Sequence, residues 1–342
     1  ERAKNKMVQI LTEDYGNPSS LHNMGKTAED YIKEAKEQIA KTLRCDEKEI
    51  IFTSGGTESN NMALIGGALA NKRQGKHIIT TAIEHASVQA PLAYLKELGY
   101  EVTELSVDHD GIISLEELRD AVREDTVLVS IMMVNNEIRA VEPVEEAAKV
   151  IKAKNPDTLF HVDAIQAYGK FRICPKKMGI DLLSVSGHKI YAPKGCGALY
   201  IKKGTRFRPV TFGGGQEKNV RPGTEGIANA CAMGLSANLL MQEREENHKR
   251  ITQIRDALLE GLTNLPDICI NSPADATPYI LNFSALGVRS EIMLHFLEEK
   301  GIYVSSGSAC AKGGASHVLA SMGMDHPVSY THLRAHETLM NL

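Results

Sequence analysis

Apolar positions along this chain fall in short dense runs, separated by longer stretches with a helical period. Thr27 and Asp30, followed by Ile32, Ala35, Ile39 and Leu43, have the spacing of a capped helix with one apolar stripe that ends near Cys45. The pattern then alternates. Glu49 to Thr53 reads as a strand, Thr57 to Ala70 as a helix, His77 to Thr80 as a strand, Ala86 to Leu98 as a helix and Glu101 to Leu105 as a strand. A Ser114, Glu117 capping box opens another helix; the run Val127 to Val134, a helix from Val144 to Lys154, and strands near Leu159 to Val162, Leu182 to Val185 and Ala198 to Ile201 follow. Near-continuous apolar strands separated by helices predict an α/β fold with a mostly parallel sheet, covered by helices on both faces.

After the Gly- and Pro-rich stretch from Gly213 to Gly226, a long charged helical pattern runs through Glu243, Glu246, Lys249 and Arg250 and reads as a bridge into a second domain. Ile268 to Ile270, Ile280 to Phe283 and Tyr303 to Ser305 read as strands around a helix from Glu291 to Lys300. The expected division is a large domain over 1–243, a smaller, incomplete α+β domain over 244–324 and an atypical tail over 325–342.

A chain of 342 residues has room for two such domains. Its apolar runs fall well short of the ~20 residues that cross a bilayer, so no membrane is expected. The net charge of -4 gives no overall positive field to hold a polyanion, which argues against nucleic acid as the main partner. Six cysteines lie scattered without a C-x-x-C pair or a secretory leader, which points away from disulfides and structural zinc and toward a reducing cytoplasm. The chain opens on Glu1 inside a helical pattern, so its true beginning is expected to be missing.

Several strand ends carry polar groups. Phe52 to Asn60 runs from a strand through Gly55 and Gly56 into a helix at Thr57, where free backbone N–H groups suit a phosphate; a lone Gly-Gly-Thr is also an ordinary tight turn. The spacing matches neither a Walker loop nor a dinucleotide fingerprint. Asp163 ends one strand, and Ser186, Gly187, His188 and Lys189 end another. A random Lys is a solvated charge, but one at the C-terminal edge of a sheet facing an Asp can act as an amine nucleophile in Schiff-base chemistry. His85 follows a strand and precedes a helix, so it could face the same edge, but alone it reads more readily as a capping or core histidine. Asn135-Asn136-Glu137 ends the most apolar strand, and Arg221 to Thr224 could add a contact to an anion. Together these groups are what a phosphorylated aldehyde cofactor needs. Val304 to Gly314 is a loop of small residues with one thiol, Cys310, which reads either as a linker or as a mobile nucleophile beside Lys312.

The ordered segments TSGGTESNN, EH at His85, VNNE, HVDAIQ, SGHK, GGGQE with RPGT, and SSGSAC make the chain resemble the pyridoxal-phosphate-dependent cysteine desulfurases of the class V aminotransferase superfamily, fold type I, from about Gly16 to about Gly323. The resemblance implies that Lys189 binds the cofactor pyridoxal 5'-phosphate covalently and that Asp163 pairs with its ring nitrogen. It implies that Gln166 and Asn136 face the ring hydroxyl, and that His85 stacks on the ring and shuttles protons. Gly56, Thr57, Ser186 and His188 would hold the phosphate, with Thr224 reaching the cofactor of the other subunit of a homodimer. Cys310 would take sulfur from L-cysteine as a persulfide, leaving L-alanine, and pass it to an acceptor such as an iron-sulfur scaffold or a tRNA-thiolation enzyme. A selenocysteine lyase of the same superfamily and a non-catalytic dimeric docking protein are the alternatives.

Two departures stand out. The family's Arg-x-Ser-x-Gly segment, whose Arg binds the substrate carboxylate, is not seen after Met324, and Arg334 lies outside its context, so 325–342 reads as foreign to the family. His332 and His336 could share a helix face there. Arg139 stands where Gly is common, and would either strain its turn or point outward.

Overall fold

The structure, a computed structural model, describes residues 1–306, 316–324, 328 and 331–336. Helix α1 (Arg2–Thr12) and helix α2 (Asn23–Leu43) open the chain. α2 starts four residues before the predicted Thr27, because the Nδ1 of His22 accepts from the Gly25 N–H and caps it. Its predicted stripe is buried: Ala28, Ile32, Ala35 and Ile39 face the core.

Strand β1 (Ile50–Thr53) leads through Gly55 into helix α3 (Gly56–Asn61), which continues through a π-helical turn at Met62–Gly66 into α4 (Gly67–Asn71). The predicted helix is therefore present, with a wide turn in its middle that periodicity does not reveal. There follow β2 (His77–Thr81), α5 (Ala86–Glu97), β3 (Glu101–Leu105), α6 (Leu115–Ala121) capped by Ser114, β4 (Thr126–Met132), α7 (Val144–Lys154), β5 (Leu159–Asp163), β6 (Leu182–Ser186) and β7 (Gly197–Ile201).

These seven strands form one sheet in the order β1-β7-β6-β5-β4-β2-β3. Pairs β6/β5, β5/β4, β4/β2 and β2/β3 are parallel, while β7 runs antiparallel to both its neighbours. Six strands thus point one way, as the apolar runs predict. Residues of β4, β5 and β6 are buried throughout, which is the condition for a sheet covered on both faces. The C-terminal ends of β1, β2, β4, β5 and β6 consequently share one edge, where open sheets of this kind bind ligands.

Helix α8 (Ile227–Thr263) is one continuous element of 37 residues, so the expected division at residue 243 falls inside it. Its first half buries Ala228, Ala230, Ala232 and Gly234 against the core. A Cβ on Gly234 would lie 2.9 Å from the Ala35 Cα, so a small residue there is what lets α8 approach α2 closely. Beyond it lies an antiparallel sheet in the order β10-β9-β8, with β8 (Ile268–Ile270), β9 (Ile280–Ala285) and β10 (His332–His336), accompanied by α9 (Ser290–Glu298) and α10 (His317–Ser321). The strand predicted over Tyr303 to Ser305 reduces to a single bridge, Ser305 with Arg334.

One expectation for the C-terminal segment needs correction. Residues 332–336 form a strand paired with β9, so His332 and His336 do not lie on a helix. An edge strand is joined through backbone groups, which place few demands on side-chain identity. Among the described residues no helix is long and apolar enough to cross a membrane.

Candidate functional site

A cavity of about 250 Å³ opens at the shared edge of the large sheet. It is lined by Gly56, Thr57, His85, Asn136, Asp163, Gln166, Ser186, His188 and Lys189, nine of the residues singled out in the sequence, together with Ser87, Met132, Ile165 and Arg334. The predicted strand-end groups are therefore brought to one place.

Asp163 closes β5 and is only 4% exposed. Its Oδ1 accepts from the Ile165 N–H at 2.9 Å and its Oδ2 from the Asn60 Nδ2 at 2.8 Å. Burial raises its pKa above the usual carboxylate value, against the opposing pull of those two donors, His85 and Lys189. A carboxylate in that position favours a cationic partner. Gln166 follows on the same turn, and its backbone oxygen accepts from the Arg139 Nη1 at 3.2 Å. Arg139 is 1% exposed with a φ of 65°, so it strains its turn and points inward; the outward alternative is excluded.

His85 is the N-cap of α5, and its Nδ1 accepts from the Ser87 N–H at 3.1 Å and meets the Ser87 Oγ at 2.8 Å. Ser87 Oγ in turn accepts from the Asn60 Nδ2 at 2.9 Å. Burial is the main cause lowering the His85 pKa, with Lys189 adding to it and Asp163 opposing. On the far side, Ser186 ends β6 and its Oγ meets the His188 Nδ1 at 2.8 Å. The chain then makes a 3-10 turn over Gly187–Ile190 that presents Lys189 to the cavity. His188 is exposed, and its pKa is lowered first by partial burial and then by Lys189 and Lys194. Gly56 opens α3 where a Cβ would lie 2.1 Å from the Ile165 Cδ1, so glycine lets the helix start pack there without displacing that side chain.

Arg334 is the correction of largest consequence. Left without a role by the sequence, it lies in β10 with 5% exposure, lines the cavity, and donates from Nη1 to the Asn136 backbone oxygen at 2.7 Å. Burial lowers its pKa, and Glu137 opposes that. No local motif marks it, because it reaches the cavity from the edge of a second sheet. Thr224 is not part of this cavity: it lines another, of about 200 Å³, with Ser54, Glu217 and Arg221. Arg221 is paired with Glu58 at 3.0 Å, so the sequence reading of a ready anion contact there meets a guanidinium already engaged. Cys310 and Lys312 lie outside the described residues. Asn60 and Ser87 were passed over; Asn60 stands inside the TSGGTESNN segment, and its distance from Gly56, one helical turn, is the signal that could have placed it over the strand ends.

The donor set suits a phosphorylated, ring-bearing aldehyde. Thr57, Ser186 and His188 supply donors at one side of the cavity, Asp163 a buried carboxylate, and Lys189 an amine.

Comparison with known proteins agrees. The family model described as Aminotransferase class-V matches residues 1–330. The chain is 43% identical over 330 residues to a protein named cysteine desulfurase IscS of Dictyoglomus turgidum, covering 95% of this chain and 83% of that one. It is 44% identical over 338 residues to the protein of the same name from Methanosarcina thermophila, covering 98% and 83%. Among solved structures, a NifS-like protein superposes with a TM-score of 0.94 at 37% identity, covering 98% of this chain and 90% of that one. A structure described as SspA in complex with cysteine superposes with a TM-score of 0.86 at 32% identity, covering 98% and 94%. The sheet order, the cavity and these relatives lead to one conclusion: the chain belongs to the class-V aminotransferase family, among its cysteine desulfurases.

Proposed function

We propose that this chain takes sulfur from L-cysteine with the aid of pyridoxal 5'-phosphate, releases L-alanine, and carries the sulfur as a persulfide on Cys310 to an acceptor. The observation that carries the reading is the meeting of Lys189 and buried Asp163 on one cavity with His85, Gln166, Ser186 and His188. The family's cofactor, when bound, supplies an electron sink for the pair left at the substrate's reacting carbons.

The chain's own residues do the rest. Lys189 would hold the cofactor covalently through its amine, and that amine, lining the same cavity, is the group suited to take the substrate's α-proton. Asp163, whose pKa is raised by burial, would pair with the ring nitrogen and favour its protonated form. Gln166 and Asn136 would face the ring hydroxyl, and Gly56, Thr57, Ser186 and His188 would hold the phosphate. Arg334, the guanidinium of this cavity, binds the substrate carboxylate. The Cys310 thiolate attacks the substrate sulfur; the C–S bond breaks, its electron pair returns toward the substrate carbon, and an S–S bond forms on Cys310.

Thr224 lies on its own cavity apart from Lys189, which supports the reading of a homodimer in which it reaches the phosphate of the other subunit's cofactor. An iron-sulfur scaffold or another sulfur-acceptor protein is the partner, and the cytoplasm the compartment. The test is mass analysis of the protein after brief exposure to L-cysteine without reductant. A gain of one sulfur atom on the peptide holding Cys310, absent in Lys189→Ala, is expected; sulfur on other cysteines alone would overturn the reading.

A further inference from the structure

His85 and Ser87 are held together by two contacts of different kinds. One is the Ser87 backbone N–H, which donates to the His85 Nδ1 at 3.1 Å. A backbone N–H cannot reverse its role, so Nδ1 must offer a lone pair and carry no proton. The other is the Ser87 hydroxyl, 2.8 Å from the same nitrogen. Ser87 Oγ accepts from the Asn60 Nδ2 at 2.9 Å, and because Nδ1 carries no proton the Ser87 hydroxyl is the donor in its contact with the ring. The second hydrogen of the Asn60 amide goes to the Asp163 Oδ2 at 2.8 Å. Asn60 is wholly buried, and Ser87 is 6% exposed.

We propose that Ser87 is a positioning residue that fixes His85 as the neutral tautomer protonated at Nε2, and that Asn60 ties this choice to the carboxylate of Asp163. In this resting form His85 offers the cavity a hydrogen-bond donor at Nε2. This inference rests on the proposed function for its setting, because it concerns the same cavity.

The charged and titratable groups around His85 act in both directions. Asp163 from β5 and Glu137 from the segment after β4 favour its protonation, while Lys189 from the turn after β6 and His317 from α10 oppose it, and burial opposes it most. The geometry decides between them: protonating Nδ1 would set two hydrogens, the ring's and the Ser87 N–H, against each other. Removing the hydroxyl withdraws one of two donors that stabilise the neutral ring, so the ring becomes easier to protonate.

The test is nitrogen NMR of the histidine rings in the cofactor-loaded protein without substrate, with His85 assigned by its loss in His85→Gln. The parent should show the Nε2-protonated neutral form at neutral pH. Ser87→Ala should move the His85 titration midpoint upward, and Ser87→Thr, which keeps a hydroxyl, should return it toward the parent. A parent ring protonated at Nδ1, or a midpoint that Ser87→Ala leaves in place, would overturn the proposal. The function is judged separately by alanine formation from L-cysteine, so a silent enzyme with the expected ring signals would count against the activity and not against this assignment.

Discussion

The two sheets of this molecule are built to different standards. In the large sheet, β4, β5 and β6 are buried at every position, and Phe160 and His161 have no exposure at all. In the small sheet the central β9 is likewise buried at every position, but β8 is only partly buried, and α9 leaves Ile292 61% and Phe296 53% exposed. Yet both reach the cavity: the large sheet with Asp163, Ser186 and Lys189, the small one with Arg334. The groups that must hold a cofactor in one geometry stand on the ends of rigid strands. The guanidinium proposed to meet the substrate, that of Arg334, stands on the edge of the smaller sheet. The groups proposed to hold the cofactor thus come from the large sheet, and Arg334, itself 5% exposed, reaches the same cavity from the edge of the small one.

The largest effect expected from breaking this division is at Lys189. Lys189→Ala should lower alanine formation by at least about 10³-fold, since it removes both the covalent attachment and the proposed proton acceptor. A steady-state assay with added cofactor checks it. Phe160→Ala, in the middle of the buried sheet, should cost about 3–5 kcal/mol of stability in denaturant unfolding. Arg334→Ala should leave the fold in place and raise the KM for L-cysteine roughly 10- to 100-fold, the worth of a charge-assisted contact to a carboxylate. A KM unchanged by that substitution would return 325–342 to the role its sequence first suggested.

A smaller effect is set by His161. Its ring bridges Ser130 Oγ at 2.8 Å and Ser184 Oγ at 3.0 Å, and burial pushes its pKa down to about 3 from 6.5. Between these values the unfolded chain binds a proton that the folded chain does not, so stability falls as pH drops from about 6.5 toward 3. His161→Gln should flatten that part of the stability profile. The smallest effect is on the other sheet's side: Phe296→Ala, at an exposed position of α9, should change stability by no more than about 0.5 kcal/mol.

The same contrast explains what could be read from the residues. The large sheet was legible because buried parallel strands are short apolar runs between helices, and its strand ends carry polar groups in ordered segments; Asp163, Lys189 and His85 follow from that. The cap of α2 was misplaced because His22 does with a ring nitrogen what Thr27 was expected to do with a hydroxyl. Asn60 and Ser87 are ordinary polar residues until tertiary packing buries them beside Asp163 and His85. Arg334 was illegible for a different reason: its approach depends on pairing between β10 and β9, and on a bridge to Ser305, contacts between residues 29 or more apart in sequence. Local pattern carries no record of such pairing. The π-helical turn at Met62–Gly66 likewise leaves no mark on periodicity.

The central claim is that Lys189, held opposite Asp163, forms a working cofactor site in this chain. Its most direct test is the visible absorption of the purified, cofactor-loaded protein before and after L-cysteine, with alanine quantified in the same sample. The account predicts an absorption band that L-cysteine alters, that Lys189→Ala abolishes, and that accompanies alanine formation dependent on Cys310. A band that persists unchanged in Lys189→Ala, or no bound cofactor at all, would contradict it.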